Sequence, residues 1–292
     1  MRLVAGSAPY TLAATEYLGA MAGMVVSAQV LTVEGGAHTE RDDLLVTEEP
    51  LEIRLGYGPL VDRREVRLSV TMRTPGHDED LVRGFLLTEG IVTDQAQLLR
   101  VVPCMNVKDE ERGNVMRAEL DPSMELDPMR WQRNFYTTSS CGVCGKSSIE
   151  AVQVHCPRRV TAPFTIDPAI ITALPDRMRE AQTVFRHTGG IHAAALFDAH
   201  GGLLILREDV GRHNAVDKVI GAALTGRRRV DDTILLVSGR AGFELVQKCV
   251  VAGIPAMVAV GAPSSLSVEL AKQSGLTLIG FLRGTRFNRY AP

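Results

Sequence analysis

The chain has 292 residues, 45% of them hydrophobic and 23% charged, with a formal net charge of −2. That length supports two modest domains with cores of their own. Near-neutrality excludes bulk attraction to nucleic acid or to an anionic membrane, so any anion site has to be local. Five cysteines, an odd number in a chain too large to need disulfide staples, point to a reducing compartment.

Residues 1–40 read as a leader, either disordered or an over-long start. "LGAMAGMVVSAQ" has the length of a signal-peptide core, but Arg2 alone and then Glu16 make a poor flank for one. No window reaches the ~18 to 20 apolar residues that a membrane span needs.

Residues 41–128 read as a small α+β domain. "LVTEEPLEIRLGYG" alternates at Leu51, Ile53 and Leu55, and "REVRLSVTMRTP" sets Val66, Leu68, Val70 and Met72 on one face. A helix follows, with Asp78 as the expected N-cap, Leu81, Val82, Phe85 and Leu86 at helical spacing, and Gly90 as the stop. "LLRVVPCMNV" and "NVMRAEL" add two strands, completing a ββαββ unit.

Residues 129–160 form a polar linker carrying "YTTSSCGVCGKSSIE", and 161–292 form a second domain. Asp167 before Pro168 is a strong helix start. From there the pattern runs α-β-β-α-β-α-β-α-β, with "ILLV" and "AMVAV" apolar enough to be buried on both sides. The fold class is therefore α/β, a mixed sheet with helices on both faces, plus the smaller α+β N-terminal domain.

Cys141 and Cys144 admit three chemistries. Structural zinc wants four ligands, and the nearest others, His155 and Cys156, are adjacent to one another and poorly placed. A thioredoxin-like pair would open a helix inside a βαβ unit, whereas these cysteines precede the alternation. A nucleophilic or carrier thiol wants glycines, a nearby cation and access, which Gly142, Gly145 and Lys146 offer. Spacing alone leaves all three open.

The topology and the His of "GGIHAAALF" invite comparison with zinc-dependent cytidine deaminases. Their H-x-E here reads His192-Ala193-Ala194, without the glutamate that moves the proton, and the CxxC comes before it instead of after. Hydrolytic deamination is excluded on that ground. In "GFLRGTRFNRY", Arg283 and Arg286 flank Gly284 with Phe281 and Phe287 close by, a pattern suited to phosphate and to stacking, or else a solvated basic tail. In "REDVGRHN", the charges Arg207, Glu208, Asp209, Arg212 and His213 read either as a salt-bridged helix cap or as pocket residues; Arg240 in "SGRAG" shares the ambiguity, though a Gly-flanked Arg after a strand favours a ligand pocket.

"LREDVGRHNAVDKVIG", "SGRAGFELVQK", "GFLLTEGI" and "SSCGVCGK", in that family's order, closely resemble the formate dehydrogenase accessory sulfurtransferase family, FdhD, over about residues 44 to 290. The resemblance implies a cytidine-deaminase-like second domain without deaminase activity. It implies a cytoplasmic homodimer that takes persulfide sulfur from a cysteine desulfurase and passes it to a bis-molybdopterin guanine dinucleotide cofactor destined for apo formate dehydrogenase. Cys141 would carry the sulfur and Cys144 would relay or resolve it. Phe281, Leu282, Arg283, Gly284, Thr285 and Arg286 would contact the cofactor, which guanine nucleotides would mimic. No resident metal, nucleic acid or membrane is implied. The rival reading is a cofactor chaperone whose cysteines do no chemistry.

Overall fold

The structure is a computed structural model and describes residues 23–124 and 166–292. Its first element lies inside the stretch read as a leader. Strands β1 (Val25–Glu34) and β2 (Ala37–Val46) form an antiparallel hairpin through Gly35 and Gly36, both at positive φ. Residues 25–40 are therefore strand and turn, and a described strand stands some twenty residues before the first one expected.

The small domain is a four-stranded sheet of β3 (Glu49–Tyr57), β4 (Arg64–Arg73), β5 (Leu98–Pro103) and β6 (Val115–Leu120), in the order β4-β3-β6-β5. Helix α1 (Asp78–Thr88) covers it, so Leu51, Ile53, Leu55, Val66 and Leu68 pack on Leu81, Val82 and Leu86. The apolar face expected of β4 ends there. Val70 and Met72 stand 53% and 39% exposed, because the strand outruns the core cluster. Nor is Asp78 the N-cap. His77 holds that place at φ 56°, and Asp78 instead receives the buried Arg73 guanidinium at 3.0 Å.

The large domain is a six-stranded sheet ordered β12-β11-β10-β9-β7-β8. Its strands are β7 (His192–Asp198), β8 (Leu203–Asp209), β9 (Thr233–Val237), β10 (Ala256–Ala259), β11 (Thr277–Arg283) and β12 (Arg286–Arg289). Strands β9, β10 and β11 run parallel, while β7 is antiparallel to both its neighbours. One face carries Ala194, Leu196, Leu235, Val237, Met257 and Leu278 against α4 (Arg212–Thr225), α5 (Phe243–Ala252) and α6 (Ser265–Ser274). The other carries Ala195, Phe197, Ile234, Leu236 and Val258 against α2 (Pro168–Ala181). Alternate strand residues thus fill two separate cores, which is why these strands are apolar without interruption. The mixed sheet with helices on both faces is the α/β class expected of the sequence. Asp167 caps α2 through the Ala169 N–H at 2.8 Å, as read. After α2 the chain breaks at Gln182 and a second, short helix follows as α3 (Thr183–Thr188).

The domains meet where α1 crosses α4. A Cβ on Gly84 would collide with the Asp217 carbonyl, and one on Gly221 with the Asp80 carbonyl, so each helix needs glycine for the other to approach. Around this crossing lie the charges. Lys218 pairs with Asp209 at 2.7 Å, both fully buried, and donates to the Thr74 carbonyl at 2.8 Å. Lys248 meets Asp217 at 2.8 Å and Glu89 at 3.2 Å, and Asp217 also accepts from the Thr88 hydroxyl at 2.8 Å. Arg207 reaches across to Asp80 at 2.7 Å.

Candidate functional site

Strands β9, β10 and β11 deliver Ser238, Val260 and Leu282 to one end of the large sheet, where antiparallel β7 begins with His192. These four line a cavity of about 500 Å³, closed on its other side by Met178, Arg179, Gln182, Phe185 and the Gly189-Gly190 pair. The carboxyl ends of parallel strands are the usual ligand side of an open α/β sheet. The volume suits a small organic group.

The walls are held by hydrogen bonds that use up the adjoining polar groups. The Ala193 N–H donates to Ser238 Oγ at 3.0 Å. Glu208, buried on β8, accepts from the Val184 and Phe185 N–H groups at 2.9 and 2.8 Å, fixing the start of α3 over the cavity. Burial, with Arg212 and His213 adding their charge, holds the His192 imidazole below its ordinary 6.5. At neutral pH it is an uncharged donor and acceptor. His213 in turn depresses the Glu244 carboxyl through a hydrogen bond.

The expected cofactor segment is only partly in this cavity. Leu282 is buried and lines it. Arg283, Gly284, Thr285 and Arg286 form the exposed β11–β12 turn outside it. Phe281, 42% exposed, sits at φ 54° on a bulged stretch of β11, a conformation that costs a bulky residue energy and that functional loops often retain. Among the undecided charges, Arg207 and Asp209 belong to the domain seam and Glu208 caps α3, while Arg212 and His213 act on His192. Arg240 is exposed in the loop after β9. The sequence reading missed Arg179, Gln182 and Phe185. The Gly-Gly pair just before His192 was the available sign that a loop and helix end close over that strand.

Cys141 and Cys144 lie outside the described residues. The two cysteines within them are ill suited to thiolate chemistry. Burial pushes Cys249 far up, and its Sγ–H is committed to the Ile254 carbonyl at 3.7 Å. Cys104, half-buried, is raised by desolvation against the pull of Arg54. No group of three or more His, Cys, Asp or Glu that could hold a metal occurs among the described residues, and no described helix is long and apolar enough to cross a membrane.

A two-domain α/β protein with a lined cavity at its strand ends is the class that fold and site define. The profile of the FdhD/NarQ family matches residues 46–292, and the chain belongs to that family. It is 50% identical to "Sulfur carrier protein FdhD" of Streptomyces avermitilis over 90% of this chain and 92% of that one. Its identity to the protein of the same name from Thermoplasma volcanium is 42%, over 86% and 88%. A crystal structure of a formate dehydrogenase accessory protein from Desulfotalea psychrophila superposes with a TM-score of 0.70 at 24% identity, covering 92% of this chain and 97% of that one, which supports the same fold.

Proposed function

We propose that this protein is a cytoplasmic sulfur carrier that takes persulfide sulfur from a cysteine desulfurase on Cys141 and delivers it to the molybdenum of a bis-molybdopterin guanine dinucleotide bound for apo formate dehydrogenase. The observation that carries this reading is the half-identity, across nearly the whole chain, to a protein named a sulfur carrier. The state of the other thiols supports it. Cys249 is locked in the core and burial raises Cys104, which leaves Cys141, Cys144 and Cys156 for thiolate chemistry, and of these only the first two are followed by glycine.

The chemistry closes on the pair itself. Cys141 thiolate attacks the outer sulfur of the donor's persulfide, an S–S bond forms on Cys141, and the donor cysteine leaves as thiolate. Cys144 thiolate then attacks Cys141 Sγ, the pair becomes a disulfide, and hydrosulfide leaves with the electron pair toward the metal. An external thiol reduces the disulfide for the next cycle.

The client is cargo, and the cavity fits part of it. About 500 Å³ takes one heterocycle of the bis-dinucleotide, not the whole. Gly189 and Gly190 leave backbone open to a planar edge, neutral His192 and Ser238 offer polar contacts, and Arg179 faces in. Phe281 and the exposed Arg283 and Arg286 stand on the adjoining turn for stacking and phosphate.

Incubation with a cysteine desulfurase and ³⁵S-cysteine tests the proposal. Cyanide-releasable label is expected on the parent protein and on Cys144→Ala, and none on Cys141→Ala. Label retained on Cys141→Ala, or absent from the parent, overturns the carrier role and leaves a cofactor chaperone.

A further inference from the structure

Helix α3 is six residues long, too short to hold itself together, and its capping residue Gln182 offers no side-chain acceptor to the N–H groups at its start. Those groups are met from another layer. Glu208 on β8 takes the Val184 and Phe185 N–H groups on its two oxygens, at 2.9 and 2.8 Å, and the Gln182 side-chain amide at 3.5 Å. The carboxylate is buried, and among the described residues no basic side chain pairs with it, so its charge is answered by the start of α3. Helix and carboxylate depend on each other: moving α3 strands a buried charge, and removing the charge leaves N–H groups unmet. Val184 and Phe185 also pack on Met24, Val25 and Val46, so without Glu208 the helix is expected to shift, not to melt.

This short helix carries much of one cavity wall. Gln182, Phe185, Gly189 and Gly190 lie on it or at its ends, and the Arg179 guanidinium sits over the Phe185 ring, 5.3 Å from its centroid. Glu208 is not among the lining residues. It stands opposite Ala193 in the β7–β8 ladder, one position beyond His192. One strand pair thus bears His192 on the near wall and the anchor of the far wall. We propose that Glu208 is a positioning residue for the client pocket, setting how far Phe185 and Arg179 stand from His192 while touching no cargo itself. This role rests on the cavity seating part of the client, as inferred above. It joins the two readings that the "REDVGRHN" motif allowed, since here a helix cap shapes a pocket. Glu208→Gln keeps the outline and one acceptor, but turns an NH₂ group onto the other backbone N–H.

Calorimetric binding of GDP, with hydrogen exchange on the full chain, tests it. The parent is expected to bind GDP and to protect the Val184 and Phe185 amides. Glu208→Gln should speed exchange at one or both of these amides and weaken GDP about tenfold, with protection of β9 and β10 unchanged. Arg179→Gln should weaken GDP in the parent but add little to Glu208→Gln, because a guanidinium already displaced has less to lose. Two effects that simply multiply, an unchanged affinity in Glu208→Gln, or loss of protection throughout the six-stranded sheet in that variant overturns the positioning role. A parent that binds no GDP overturns the cavity reading and this role with it. A parent that binds GDP no better than Glu208→Gln does overturns the role alone, so the two failures are distinguishable.

Discussion

The large sheet and the seam between the domains both exclude water, by opposite means. In β9 every residue from Thr233 to Val237 is buried, and the four after the first are alkyl. At the seam the buried groups are Asp209, Asp217, Lys218 and Lys248, each facing an opposite charge. Alkyl packing accepts many arrangements of equal volume. A buried ammonium accepts only the arrangement that returns its hydrogen bonds, because the cost of desolvating it is met nowhere else. The sheet supplies bulk stability, and the seam fixes how α1 lies on α4.

That contrast can be broken most directly at Asp217. Asp217→Ala takes from the buried Lys248 ammonium the nearer of its two carboxylates and leaves it Glu89 at 3.2 Å, and is expected to cost about 3 kcal/mol in urea unfolding, whereas Asp217→Leu with Lys248→Met should recover part of the loss. A single variant that unfolds like the parent would mean the pair holds nothing. The backbone crossing comes next. Gly84→Ala should cost about 1–3 kcal/mol by pushing α1 off the Asp217 carbonyl, seen as a lower urea midpoint with unchanged slope.

The smallest effect belongs to the cavity. His192 should titrate by NMR with a midpoint below 6.5, and Arg212→Gln should move it back upward. Since the unfolded chain takes up that proton first, this group's contribution to folding is complete above 6.5 and is lost as pH falls below it. A midpoint at or above 6.5 would place His192 in water.

Legibility followed the same division. "ILLV" and "AMVAV" announced doubly buried strands because burial on both faces leaves no polar alternation, and Asp167-Pro168 announced a helix start because capping is local. The charges of "REDVGRHN" were ambiguous because their partners are distant: Arg207 meets Asp80 across 127 positions of chain. Ion pairs of that separation leave no periodicity. The hairpin was overlooked because β2 opens with the polar run from His38 to Asp43, which shows no alternation, although Gly35-Gly36 between two ten-residue runs was a readable turn signal. At the candidate site, Leu282 and its strand end could be anticipated, whereas the closing residues of α2 and α3 could not, since only the fold folds them back over β7.

Glycine at 84 and at 221 puts main chain against main chain, leaving no slack for a hinge at the place where the two halves join. The two domains therefore make a stiff platform, not a jaw. Whatever the cavity at the strand ends receives, the angle between the two sheets is not the part that adjusts to it.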